Sequence, residues 1–239
     1  MSSSTWTPHA VASEARSFAG SIWRIVESQY VASTMKIVDD FEDQAVLEQI
    51  LDDHKPRVPR AAAHLDYLLA TPFRYWPPPP GSRFRAVGDP GVYYGAQDVQ
   101  TAAAEAGYWR WRFLKDAVAL ERLNPVPHTA FGAEVATQFV DLREQPFRRD
   151  ASRWTDPGDY THTQAFAAVA REAGLGAIQY RSVRALEPAW CLAVLEPAAF
   201  AKPKANPVTE TWYLAVAREQ VTWRSRSGAM LFPMTRWLV

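Results

Sequence analysis

Short runs of apolar, β-branched and aromatic residues recur between polar segments of the chain, and such runs predict β-strands. The first run, from Ser21 to Val26, contains a tryptophan and three β-branched or long aliphatic residues. Later runs with the same character predict strands over 91–96, 130–140, 177–183 and 190–195. Two further runs, Glu210 to Ala217 and Gln220 to Ser225, favour a C-terminal hairpin within 209–226.

Other segments have a composition typical of helices. The alanine-rich stretch from Pro8 to Phe18 predicts an N-terminal helical extension, and Ala61 to Leu69 predicts a helix that ends before Pro72. Asp98 is a good N-cap for a helix that carries Glu105 and continues through an aromatic-rich turn. A helix over 163–173 should stop at Gly174. Strands and helices mix without regular βαβ alternation, so we expect an α+β fold with a mixed sheet flanked by helices.

The run Trp76 to Gly81 holds four consecutive prolines and interrupts this pattern. Four prolines favour an extended polyproline conformation and exclude a helix or a central strand. The run fits a rigid loop, a domain linker or a ligand for an SH3-type domain. Its apolar and aromatic flanks favour the rigid loop.

Length and composition limit the organisation and the partners. We expect one domain over 1–239, with a core of roughly 21–200. The 26 basic and 26 acidic residues cancel, which disfavours a general nucleic-acid binder. We find no basic segment followed by an apolar one at the start and no apolar run of about 20 residues, so we expect a cytoplasmic protein without a membrane partner. Cys191 is the only cysteine and lies in an apolar run, which favours a buried, inert thiol.

Several catalytic and binding motifs are missing from the sequence. It contains no G-x-G-x-x-G, no P-loop and no G-x-S-x-G, and its histidines lack metal-ligand spacing. We therefore expect no metal. The segment Trp109 to Arg112 alternates tryptophan with arginine, as single-stranded nucleic-acid platforms do, but a helix would turn these side chains to different faces. Core packing with surface arginines is the favoured interpretation.

Four segments together resemble the RES family, bacterial toxins that are paired with an Xre-type antitoxin. Gly81 to Arg85 is similar to the family's Gly-Gly-Arg-Trp-Asn element, although Arg85 replaces the asparagine. Val92 to Ala96 resembles its tyrosine strand, and Ala102 to Glu105 its glutamate helix. Tyr180 to Arg184 resembles its serine strand. Two weaker similarities are Trp23 to Ile25, resembling the opening strand, and Ser33 to Asp39, which includes Lys36 and resembles a larger RES subgroup.

The resemblance implies a fold related to the ADP-ribosyltransferases and cleavage of the nicotinamide–ribose bond of NAD. It also implies a site of Arg83, Tyr94, Glu105 and Ser182, with Arg24 as a fifth member. In that site Glu105, Arg83 and Tyr94 are the expected catalytic residues, and Arg24, Arg83, Tyr94 and Ser182 the expected NAD-binding residues. A carboxylate can stabilise the positive charge that develops on the ribose, and arginines can hold the pyrophosphate.

The expected site residues fit more than one reaction, and the chain fits more than one kind of protein. Hydrolysis, phosphorolysis and ADP-ribosyl transfer to a protein acceptor all fit the same residues. The resemblance implies an antitoxin partner that covers the pocket. A competing hypothesis is a non-catalytic interaction module, because the chain contains 10 tryptophans and the proline run.

Overall fold

The computed structural model describes residues 6–28, 42–43, 46–47, 49–50 and 54–237. The segment Ser33 to Asp39, including Lys36, lies outside these residues. The helices are α1 (Pro8–Ala12), α2 (Tyr67–Arg74), α3 (Val99–Asp116), α4 (Ala151–Trp154) and α5 (Thr161–Glu172). The strands are β1 (Arg16–Glu27), β2 (Tyr93–Ala96), β3 (Arg122–Asp141), β4 (Ala177–Arg181), β5 (Trp190–Val194), β6 (Thr209–Ala217), β7 (Gln220–Arg224) and β8 (Ala229–Pro233). The expected α+β class is confirmed.

The eight strands form one mixed sheet in the order β1-β2-β5-β4-β3-β6-β7-β8. β3 and β4 are parallel and every other neighbouring pair is antiparallel. β1 also pairs with β3 along its whole length, from Arg16 opposite Phe139 to Glu27 opposite His128. This pairing closes five strands, β1, β2, β5, β4 and β3, into a ring.

The ring is weakly closed at one seam. β1 and β2 pair only at Trp23 and Ala96, whereas β1 and β3 share twelve paired positions. Beyond Trp23, β1 does not pair with β2, so the rest of the β2 backbone has no strand partner on that side. A long side chain can enter this seam.

Successive residues of the ring strands contribute to two separate hydrophobic clusters, because strand side chains alternate between faces. Tyr93 joins the cluster that α2 covers, while Tyr94 packs against the cluster that contains α3. In the same way, Ile22 belongs to the cluster that α2 covers and Ile25 to the cluster that contains α3. The two clusters fix β2 from both sides and so fix which side chains can face a ligand.

α3 brings Glu105 close to the sheet, and its sequence explains how. Asp98 caps it through a 2.7 Å hydrogen bond from the Thr101 amide to Oδ1. Its buried face carries small residues, and the Trp223 indole donates a 3.1 Å bond to the Ala103 carbonyl. A Cβ on Gly107 would lie 2.9 Å from Cγ1 of Val221, so only glycine allows this approach.

Two helix predictions were wrong in extent. The predicted helix over 8–18 ends at Ala12, and strand β1 begins at Arg16 because β3 offers it a full-length partner. The predicted helix over 61–69 is instead a short 3-10 turn, Arg60–Ala62, followed by α2. Asp66 accepts from the Leu69 amide and starts α2 later, and Pro72 lies inside that helix.

The C-terminal region contributes more than the expected hairpin. β6 and β7 pair as predicted, and β8 adds a third strand that the sequence did not indicate. Trp212, Trp223 and Trp237 are buried in the same cluster as α3. The sheet therefore extends from Arg16 to Pro233 and its core from Trp6 to Trp237, past the range of 21–200.

Candidate active site

A cavity of about 230 Å³ lies between α3 and the ring strands β1, β2, β4 and β5. We call it the site cavity. It brings together four of the five predicted site residues, Arg24, Arg83, Tyr94 and Glu105. Its other lining residues are Trp23, Ile25, Ser82, Gly95, Ala96, Ala102, Ala106, Trp109, Tyr160, Tyr180, Arg184 and Cys191.

Glu105 is the only carboxylate among the described lining residues of the site cavity. Its Oε1 accepts a 2.6 Å hydrogen bond from the Ser182 hydroxyl and a 3.8 Å contact from the Cys191 thiol. Within the described part of the chain, Oε2 has no hydrogen-bond partner. One oxygen is thus fixed by the protein while the other is available to a ligand.

Ser182 is buried behind Glu105 and does not line the cavity. Its Oγ accepts from the amides of Arg184 and Ala185 at 3.3 and 3.2 Å. These two amides use the lone pairs of the hydroxyl oxygen, so its proton is donated to Glu105. The structure makes Ser182 a partner of Glu105 rather than a wall of the cavity.

Arg83 is buried and lies two residues after the proline loop, Trp76 to Gly81. Its Nη1 donates a 2.9 Å hydrogen bond to the Trp154 carbonyl, and its guanidinium lies 4.8 Å from the ring centroid of Tyr160. These contacts fix the plane of the guanidinium, and Arg83 lines the site cavity. That arrangement suits recognition of an anion.

Tyr94 joins strand β2 to the loop that carries Arg83. Its hydroxyl accepts a 2.9 Å bond from the Phe84 amide and lies 2.8 Å from Oγ of Ser82. Burial raises the pKa of Tyr94, although these hydrogen bonds oppose the shift. The neutral hydroxyl therefore holds the loop, and the ring is the part that faces the cavity.

Arg24 occupies the seam between β1 and β2. Its Nη1 donates a 2.8 Å bond to the Tyr94 carbonyl, and the guanidinium stacks 4.9 Å above Tyr93. Burial lowers the pKa of Arg24. Its Nε is buried without a partner in the described residues, so this arginine retains unused hydrogen-bonding capacity.

Arg184 is a further cation of the cavity, although its role was not predicted from the sequence. Its guanidinium lies 3.5 Å from the centroid of Tyr108, and it donates to the Pro157 carbonyl. It lies in the bend that follows β4, where a local pattern does not predict the direction of a side chain, so no sequence signal identified it.

The three arginines give the cavity an excess of positive charge. Among the described residues, none of Arg24, Arg83 and Arg184 forms an ion pair with a carboxylate. Aromatic rings complete the walls: Trp23, Trp109, Tyr160 and Tyr180. A buried set of free cations next to one carboxylate suits an anionic ligand with a flat ring.

Cys191 has the inert character that its apolar run predicted. It is 2% exposed, and burial, followed by the nearby charge of Glu105, raises its pKa well above the usual range. A protonated thiol is a weak nucleophile. Its structural role is the contact with Glu105.

Arg85 and the proline loop support the site without lining it. Arg85 donates to the carbonyls of Tyr75 and Asp89 at 2.7 and 3.1 Å. Nε2 of Gln164, on α5, lies 3.1, 3.0 and 3.3 Å from the carbonyls of Pro80, Ser82 and Arg85. The loop is thus fixed by side chains, as the rigid-loop interpretation requires.

The Trp109 to Arg112 segment does not form a stacking platform. Trp111 is buried and donates to the Arg218 carbonyl, whereas Trp109 is 51% exposed beside the cavity. Arg110 pairs with Glu27 and Arg112 with Asp116. The two tryptophans therefore face different environments.

The family model described as the RES domain matches residues 57–217, more than half of the chain. This chain belongs to the RES domain family. The match contains the segments from Gly81 to Arg184 that carry the resemblance. It leaves out β1, so Arg24 reaches the site from outside the matched residues.

One solved structure that this RES chain resembles is the MbcT–MbcA toxin–antitoxin complex of M. tuberculosis, with 11% identity and a TM-score of 0.48. The superposition covers 85% of this chain and 86% of that one. No curated protein matches the sequence.

Among the helices of the described residues, none is long and apolar enough to cross a membrane. In the same part of the chain, no three His, Cys, Asp or Glu side chains gather as metal ligands.

Proposed function

We propose that this RES domain binds NAD in the site cavity and breaks the bond between nicotinamide and ribose. The observation that carries the proposal is the pairing of one carboxylate, Glu105, with three arginines that have no ion-pair partner among the described residues. NAD needs both features, because its pyrophosphate is anionic and its ribose becomes positive as the bond breaks.

Each side chain has a role in this proposal. Arg83 and Arg24 bind the pyrophosphate with their remaining N–H groups. The aromatic walls, including Tyr94, stack on the nicotinamide ring or the ribose. Glu105 stabilises the oxocarbenium-like ribose through Oε2, while Ser182 holds Oε1.

The reaction needs no strong acid. The glycosidic bond breaks, and its electron pair neutralises the cationic nicotinamide nitrogen, which leaves as a neutral base. An acceptor oxygen then bonds to the ribose carbon and releases a proton. Water, phosphate or a protein side chain can be that acceptor, so hydrolysis, phosphorolysis and ADP-ribosyl transfer all remain within the proposal.

The test is nicotinamide release by the purified protein. Glu105→Gln should abolish release, and Arg83→Ala should weaken NAD-dependent thermal stabilisation, with both variants folded. Reactions with and without phosphate, and with lysate proteins, identify the acceptor. Full turnover in both variants would refute the site assignment. Absence of any stabilisation by NAD would favour the non-catalytic interaction module instead.

We also propose that this protein acts as a toxin whose antitoxin covers the site cavity. Trp109 and Phe113 lie one turn apart on α3 and are 51% and 56% exposed, and Trp109 also lines the cavity. Exposed aromatic pairs are typical anchors of protein interfaces. The partner should be encoded by the neighbouring gene, and its co-expression should block nicotinamide release. Phe113→Asp, which lies outside the cavity lining, should restore release in its presence, and continued inhibition of that variant would contradict this surface.

A further inference from the structure

A second pocket lies where β4 ends and β5 begins, beside the site cavity. Its volume is about 390 Å³, and we call it the arginine pocket. It is lined by Gln97, Leu142, Arg143, Arg148, Ala151, Ser152, Trp154, Thr155, Arg181, Pro188, Ala189 and Trp190. None of these residues lines the site cavity.

Strand alternation explains how two pockets share the same strands. Tyr180 and Cys191 are register partners that line the site cavity, and the next pair, Arg181 and Trp190, lines the arginine pocket. Because neighbouring strand residues point to opposite faces, one pair of strands presents different chemistry on each side. The arginine pocket is therefore a separate site.

The charge of the pocket is positive. Three arginines line it and no carboxylate does. Arg143 is neutralised by Asp141 through bonds of 2.8 and 2.7 Å. Arg148 and Arg181 form no side-chain hydrogen bond or ion pair with any described residue, so two positive charges remain available.

The rest of the lining is mainly apolar and flat. Trp154, Trp190, Leu142 and Pro188 form these walls, and Ser152 and Thr155 add hydroxyl groups. Two free guanidinium groups match the charge of a phosphate monoester, which carries about −1.5 to −2 near neutral pH. The apolar walls match a ring attached to that phosphate.

We propose that the arginine pocket binds a phosphate monoester attached to a flat ring, with Arg148 and Arg181 as its phosphate ligands. A nucleoside monophosphate has this chemistry. The assignment does not depend on NAD cleavage, because the two sites share no lining residue.

The experiment is calorimetric titration of the full chain with AMP, ribose 5-phosphate and inorganic phosphate. AMP should bind most tightly, and its affinity should fall with added salt because the contacts are ionic. Arg148→Gln/Arg181→Gln should weaken AMP binding by roughly tenfold or more, since charge-assisted hydrogen bonds to phosphate are lost. Both arginines are exposed, so the variant should fold, as its melting temperature will show.

The matched control is Arg153→Gln, at an exposed arginine of α4 outside the lining, which should leave AMP affinity unchanged. The proposal is overturned if AMP fails to bind, if the double variant binds it normally, or if only Arg24→Gln, a variant of the site cavity, loses it. Equal affinity for AMP and inorganic phosphate would overturn the role of the apolar walls.

Discussion

The hydroxyl of Ser182 donates a 2.6 Å hydrogen bond to Oε1 of Glu105, a residue that precedes it by 77 positions. The oxygen of the same hydroxyl accepts hydrogen bonds from the backbone amides of Arg184 and Ala185. Glu105 thus has one oxygen fixed in place, and Ser182 acts through Glu105.

Ser182→Ala should lower kcat for nicotinamide release with little change in KM. Hydrogen bonds to charged groups contribute about 1.5–3 kcal/mol, which corresponds to roughly 10- to 150-fold in rate if the bond serves the transition state. Steady-state kinetics provides the measurement, and Ser13→Ala, at an exposed hydroxyl near the N-terminus, is the control. A raised KM with unchanged kcat would instead place Ser182 in substrate binding.

Gln164→Glu should impair the site more than Gln164→Ala. The amide nitrogen of Gln164 serves three carbonyls of the loop that carries Arg83, and a carboxylate would repel all three. The expected order of NAD-dependent stabilisation is wild type, then alanine, then glutamate, as measured by thermal melting with and without NAD. Gln100→Ala, on the exposed first turn of α3, serves as control. If Gln164→Ala lost more NAD-dependent stabilisation than Gln164→Glu, the packing of the side chain and not its hydrogen-bond donation would be what the site needs.

Asp98→Ala should destabilise the protein by about 1 kcal/mol at neutral pH, the usual effect of losing an N-cap. Burial raises the pKa of Asp98, but hydrogen bonds led by the Thr101 amide outweigh it and the net shift is downward. Because the folded-state pKa is depressed, this stabilisation is present above the ordinary value of about 3.9 and is lost as the pH falls through the folded value. In urea unfolding, the difference in the free energy of unfolding between wild type and Asp98→Ala should become smaller below about pH 3.9. A constant difference across that range would refute the role of the charge.

Gly107→Ala should destabilise the protein although alanine favours helices by about 1 kcal/mol over glycine. The added Cβ would lie 2.9 Å from Cγ1 of Val221 and 3.2 Å from Nε1 of Trp223. Overpacking of this kind costs about 1–3 kcal/mol, which outweighs the gain in helix propensity. Urea unfolding measures the change, and Gly158→Ala, where a Cβ meets nothing within 4 Å, should be neutral. A stabilised Gly107→Ala would show that α3 can move away from β7.

Local patterns predicted most of the secondary structure near the site. The Asp98 cap, the helix carrying Glu105 and the strand of Tyr94 were all correct in kind, because each depends on neighbouring residues. The predictions were less accurate where distant residues compete with local preference. Arg16 to Phe18 form a strand because β3 pairs with them, despite a helix-compatible sequence.

The sequence by itself determined the α+β class and the RES motifs, because strand runs, a capping residue and motif order are all local properties. Only the tertiary structure decided which side chains meet. It placed Arg184 and Tyr160 in the site cavity, put Ser182 behind Glu105, and set Arg181 on the opposite face from Tyr180. Periodicity indicates which face a residue occupies, but the position of that face against other elements depends on long-range pairing and packing.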